Sequence, residues 1–102
     1  MATLTFGLQS GNLDEVVSAI AQSFRVSFHA RDSVYWGTHF FAPVTDGDGI
    51  RVFANWDEGD GEPIRSPGEL AIMIDVLYIP DTRAREMEQK VLECLPGAVR
   101  VQ

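Results

Sequence analysis

Cysteine is nearly missing from this chain: Cys94 is the only one, so no internal disulfide can form and the sequence suits a reducing compartment. Basic residues are also scarce. Eight lysines and arginines stand against fifteen aspartates and glutamates, and the resulting net charge of −7 repels phosphate backbones and anionic headgroups. Direct nucleic-acid binding and membrane-surface attachment are therefore disfavoured. Long apolar runs are lacking too: the longest, Leu70 to Ile79, is too short to span a bilayer and carries Asp75 in its middle. The opening residues Met1 to Phe6 have neither a basic start nor an extended apolar stretch, so they do not read as a secretory signal. These absences lead us to expect a soluble cytoplasmic protein.

With 102 residues and a hydrophobic content of 45%, the chain has the size and composition of one packed domain, expected over residues 1–102. Leu4, Phe6 and Leu8 alternate with Thr5 and Gly7 at the period of a half-buried strand. Asn12 followed by Glu15 has the form of a capping box. The stripe Leu13, Val16, Val17, Ile20, Ala21 and Phe24 then predicts a helix over 12–23. From Arg25 the period returns to two through Val26, Phe28 and Ala30, predicting a strand; Arg31-Asp32-Ser33 reads as a polar turn, and Val34 to Ala42 as a second, aromatic-rich strand. Pro43 and Asp46-Gly47-Asp48-Gly49 supply another turn before Ile50, Val52, Ala54 and Trp56. Residues 57–68 combine Gly, Pro and like charges without apolar period and read as the main loop. Leu70 to Ile79 reads as a central strand buried on both faces. Asp81 is placed to cap a second helix with the stripe Ala84, Met87, Val91 and Leu95 and an ion pair from Glu86 to Lys90; Pro96-Gly97 ends it, and Ala98 to Val101 adds a short strand.

The order β-α-β-β-β-β-α-β predicts an α+β fold, a two-layer sandwich with both helices on one face of a mainly antiparallel sheet. It resembles a ferredoxin-like fold elaborated by additional strands in the middle. Alternation places Tyr35, His39, Phe41, Phe53 and Asn55 on the face away from the helices, and Trp36, Phe40, Val52 and Trp56 towards them. The aromatic set on the far face is expected either to be an interface or to form a second small core under the long loop.

Few residues suggest bond-making chemistry. His29 and His39 on neighbouring strands could ligate a metal or move a proton, but no third ligand stands at a supporting spacing. Asp75 in a buried strand could be a general base; the favoured expectation is a pairing across the sheet with an arginine such as Arg51. Cys94 has no CxxC partner and reads as core filler. The acidic turns beginning at Asp46 and Asp57 fail as calcium loops, because Ile50 or glycines occupy positions that need oxygen ligands. No catalytic set and no cofactor are expected.

The acids are concentrated. Asp46, Asp48, Asp57, Glu58, Asp60, Glu62 and Glu69 face only Arg51 and Arg65 within 46–69, a local balance of −5. Such a patch suits a basic protein partner, for which charge complementarity speeds encounter and rejects wrong partners. The hairpin Asp32-Ser33-Val34-Tyr35-Trp36-Gly37-Thr38-His39-Phe40-Phe41, the strand Ile50-Arg51-Val52-Phe53-Ala54-Asn55-Trp56-Asp57 and the terminal helix ending Leu95-Pro96-Gly97 resemble small acidic bacterial immunity-type proteins of toxin systems, over residues 26–102. The resemblance implies an immunity or inhibitor protein that covers the basic active-site surface of a toxin. The expected partner-binding residues are Tyr35, His39, Phe41, Asp46, Asp48, Phe53, Asp57, Glu58, Asp60 and Glu62. Two other classes stay open: a self-associating accessory protein, and a small ferredoxin-like enzyme or ligand binder acting as a dimer with His39, Asn55, Trp56 and Asp75 around a pocket.

Overall fold

The structure is a computed structural model that describes residues 1–33, 37–44, 47–56, 61–65 and 68–101. Its elements are β1 (Ala2–Leu8), α1 (Leu13–Phe24), β2 (His29–Ser33), β3 (Gly37–Pro43), β4 (Gly49–Ala54), β5 (Ile72–Ile79), a short 3-10 turn (Asp81–Arg83) running into α2 (Ala84–Cys94), and β6 (Val99–Arg100). All strands join one six-stranded sheet in the order β2-β3-β4-β5-β1-β6, and every neighbouring pair is antiparallel. The fold is therefore α+β, with β5 in the interior of the sheet, as a strand that is apolar apart from Asp75 and buried on both faces requires. No helix among the described residues is long and apolar enough to cross a membrane.

Both helices lie on the same sheet face. Val16 and Ile20 of α1 and Met87 and Val91 of α2 share one core with Leu4, Phe6 and Leu8 of β1, Ile50 and Val52 of β4, and Ile72, Ile74 and Val76 of β5. The stripe spacing of each helix dictates this packing, and the alternation of each strand delivers one apolar row to it. Asn12 caps α1 as expected, its side-chain oxygen accepting from the Glu15 N–H at 3.2 Å. At the other end Arg25 sits in the left-handed region at φ 56°, and the N–H groups of Arg25 and Val26 both donate to the Ala21 carbonyl. This closes the helix in the manner usually assigned to glycine.

Four local expectations are corrected. Arg31-Asp32-Ser33 is strand, not turn: these residues pair with His39, Thr38 and Gly37. An edge strand tolerates polar residues on both faces, and the Thr38 hydroxyl donates to Asp32 across the pair at 2.7 Å. Trp56 does not face the helices; it stands 54% exposed beyond β4, where its N–H turns back onto the Ala54 carbonyl and breaks the alternation. Asp81 makes no capping bond to the helix; its carboxylate meets the amino group of Met1 at 3.4 Å, and a 3-10 turn starts α2 instead. Glu86 pairs with Arg83 at 3.2 Å, and Lys90 lies over the Phe24 ring at 5.3 Å. Val34, Tyr35 and Trp36 lie outside the described residues.

Candidate functional site

Strand alternation sends a second set of side chains to the face away from the helices. Register places Thr5, Asp75, Arg51, Phe41 and His29 in one row across β1, β5, β4, β3 and β2, and Gly7, Met73, Phe53, His39 and Arg31 in the next. The Asp75 carboxylate is 1% exposed, and burying it requires partners. It has them on both oxygens. The Thr5 hydroxyl donates to Oδ1 at 2.9 Å, Arg65 Nη1 to Oδ1 at 2.7 Å, and Arg51 donates to Oδ2 through Nη2 at 2.7 Å and Nε at 3.2 Å. The expected pairing with Arg51 is thus present, and Arg65 joins it from the long loop. With its oxygens occupied by two guanidinium groups and a hydroxyl, Asp75 is a structural anion and not a free base.

Arg65 is pinned twice. Its side chain reaches Asp75, and its backbone is held by Asn55, whose Oδ1 accepts from the Arg65 N–H at 2.8 Å while Nδ2 donates to the carbonyls of Arg65 at 2.9 Å and Leu70 at 2.8 Å. Asn55 is buried and acts here as a clamp between the end of β4 and the loop. Leu70 then lies directly on Gly7, where an added Cβ would come within 2.4 Å of Leu70 Cδ1. Glycine in β1 is what lets the returning chain approach so closely. Phe53, Leu70 and Met73 form a second small core with Ile64 and Val101 packed against it. The Arg65 guanidinium covers the Phe53 ring at 5.4 Å. Of the two expectations for the aromatic far face, the small core under the loop is what forms around Phe53.

The residues expected at a partner surface accordingly separate. Phe53 is 0% and His39 7% exposed, so neither offers an accessible surface. His39 Nδ1 lies 3.1 Å from the Gly37 carbonyl. Phe41 is half-buried, spread over Gly49 on the neighbouring strand and covered by the Arg31 guanidinium at 4.5 Å. Asp48 and Glu62 are exposed, as is Glu69. Tyr35, Asp46, Asp57, Glu58 and Asp60 lie outside the described residues. The sequence reading missed Arg65 as an anchor; the signal that could have found it is a lone arginine inside an acidic loop opposite a strand that buries an aspartate.

Among the described residues no group of three His, Cys, Asp or Glu side chains is arranged to hold a metal ion. Cys94 is half-buried at the α1–α2 contact, and its thiol donates to the Val91 carbonyl at 3.5 Å. Burial pushes that thiol above its ordinary range, partly offset by a hydrogen bond with Ser23, so it stays protonated at neutral pH and is a poor nucleophile. The geometry therefore offers a chain segment at Arg65 clamped onto a packed sheet face. No family model matches the chain, and a search of the curated proteins finds no match, so any reading of function rests on this geometry.

Proposed function

We propose that the chain is a small acidic protein-binding domain of the immunity or inhibitor kind, which neutralises a bacterial toxin in the cytoplasm by covering its basic active-site surface. The observation that carries this reading is the double pinning of Arg65 to Asn55 and Asp75. It anchors the acidic segment at Arg65, eight residues after Asp57, to the packed face of the sheet, which supports a reading in which part of the ordering cost is met before any partner arrives. The same bonds govern the charge. Arg51 and Arg65, the only cations in the sequence within 46–69, both reach the buried Asp75 at 2.7 Å, and seven acids stand against these two bases in the segment. A basic cleft is the complement of such a loop.

The finer fold reading belongs with this proposal. Without β2 and β3 the element order is β-α-β-β-α-β with strand order β4-β5-β1-β6, which supports an elaborated ferredoxin-like fold with a hairpin added at one edge. That fold is shared by many unrelated activities and adds nothing to the choice of partner.

The test uses a basic toxin domain encoded in an adjacent reading frame. Replacing Asp57, Glu58, Asp60 and Glu62 together by serine should slow association and weaken binding by about ten- to a hundredfold at low salt, with the melting temperature unchanged. Wild-type binding should fall steeply with added salt. An unchanged affinity in the serine variant removes the acidic-loop mechanism.

A further inference from the structure

On the helical side of the sheet, the end of α1, the end of β3 and the first turns of α2 enclose a cavity of about 310 Å³. Its apolar lining comes from Phe24, Val26, Val44 and Met87, and Arg25, Arg83 and Lys90 bring three of the chain's eight basic side chains to it. This is a concentration of positive charge in a chain of net charge −7. Arg83 bonds Glu86, the acid nearest to it along α2. Arg25 and Lys90 have no ion pair among the described residues, although acids outnumber bases almost two to one. Arg25 is also held at φ 56°, a conformation that disfavours any residue with a Cβ. The chain thus keeps a long cation where glycine would be less strained, at the mouth of a cavity that collects cations.

We propose that this cavity binds a small phosphate monoester with a compact apolar body. Two cations without an ion pair among the described residues, one of them resting on the Phe24 ring, favour a dianion. The guanidinium of Arg25 offers paired donors to phosphate oxygens, and the ammonium of Lys90 adds a point charge. The half-buried Phe24, Val26 and Val44 give the ester group an apolar surface, and the volume lies at the small end of ligand pockets. The proposal does not depend on the clamp at Arg65, which packs on the other face of the sheet, and it can fail alone.

Phenyl phosphate is the probe, titrated into the full chain at low salt with two-dimensional NMR and calorimetry. The expected result is saturable one-site binding with Kd below about 1 mM, with amide shifts confined to residues 24–27, 44 and 83–90. Inorganic phosphate, benzoate and benzyl alcohol should each bind at least about fivefold more weakly, because the first lacks the apolar body and the other two lack the dianion. Lys90→Gln and Arg25→Gly should each weaken binding about three- to tenfold. Arg25→Gly should do so without lowering the melting temperature, since glycine relaxes the backbone there. Arg85→Gln, on the same helix but outside the cavity, should leave affinity unchanged. Absence of saturation, benzyl alcohol or benzoate binding as tightly as phenyl phosphate, or an R25G/K90Q double variant that binds like wild type would each overturn the assignment. Inorganic phosphate binding as tightly as phenyl phosphate would overturn the apolar body.

Discussion

The two faces of one sheet are held by different physics. On the helical face, Ile50, Val52, Ile74, Val76 and their neighbours meet α1 and α2 through aliphatic contact, which is strong but not directional. On the other face a charged network, Thr5, Asp75, Arg51 and Arg65, stands beside a small core of Phe53, Leu70 and Met73, and the loop is held down by named hydrogen bonds. The first face needs only apolar side chains of suitable volume. The second needs particular atoms at particular distances, and it holds Arg65 and Leu70 against the strands through them.

The comparison is sharpest at two adjacent residues of β5 that point to opposite faces and are both fully buried, Ile74 and Asp75. Ile74→Ala should cost about 4 kcal/mol by leaving a cavity in the larger core, and Asp75→Ala about 3 kcal/mol by leaving two guanidinium groups without their carboxylate. Chemical denaturation measures both. The responses to a second change should differ. Adding Arg51→Met to Asp75→Leu should recover part of the loss, because it removes one of the two guanidinium groups that lose the Asp75 carboxylate. If Asp75→Ala costs under about 1 kcal/mol, the network is ornamental and the two faces are not distinct in kind.

The faces also differed in how readily the sequence disclosed them. Periods of 3.6 and 2 in α1, β1 and α2 were enough to place both helices on one side of an antiparallel sheet, because an aliphatic stripe has few other places to go. The partner of Asp75 was half legible: a carboxylate inside an apolar strand demands a cation, and Arg51 stood on a neighbouring strand, but Arg65 sits in a loop whose path no local pattern fixes. Asn55 lay on the predicted face, yet its role as a clamp follows from a 10-residue return of the chain to Arg65 that periodicity does not encode. The turn expected at Arg31-Asp32-Ser33 failed because polarity was read as a break in the strand, whereas at a sheet edge polar residues on both faces are compatible with pairing.

Asn55 tests whether the loop is clamped independently of the larger core. Asn55→Ala removes the hydrogen bonds to the Arg65 N–H and to the Arg65 and Leu70 carbonyls and leaves these groups to find water, a loss of about 2 kcal/mol. The loss should be local. Hydrogen exchange at the Arg65 amide should accelerate by about ten- to thirtyfold, while amides of Phe6 and Ile74 in the paired strands change only with global stability. Uniform acceleration would show that the loop and the helical face unfold as one unit.

Gly7 probes the smallest of these couplings, the seat of Leu70 on β1. A methyl group at Gly7 would meet Leu70 Cδ1 at 2.4 Å and Leu70 Cγ at 3.1 Å, so the leucine has to swing aside or lift the loop with it. Because the clash is with the end of a flexible side chain, Gly7→Ala should cost only about 1 kcal/mol. Leu70→Ala alone should cost more, since it empties the small core. In the double variant G7A/L70A the two costs should not add: with Leu70 truncated, the alanine methyl occupies space that the leucine left, and the pair should be no less stable than Leu70→Ala alone. Simple additivity in that cycle would mean that Leu70 does not rest on Gly7, and that the loop is held by Asn55 and Arg65 without help from the small core.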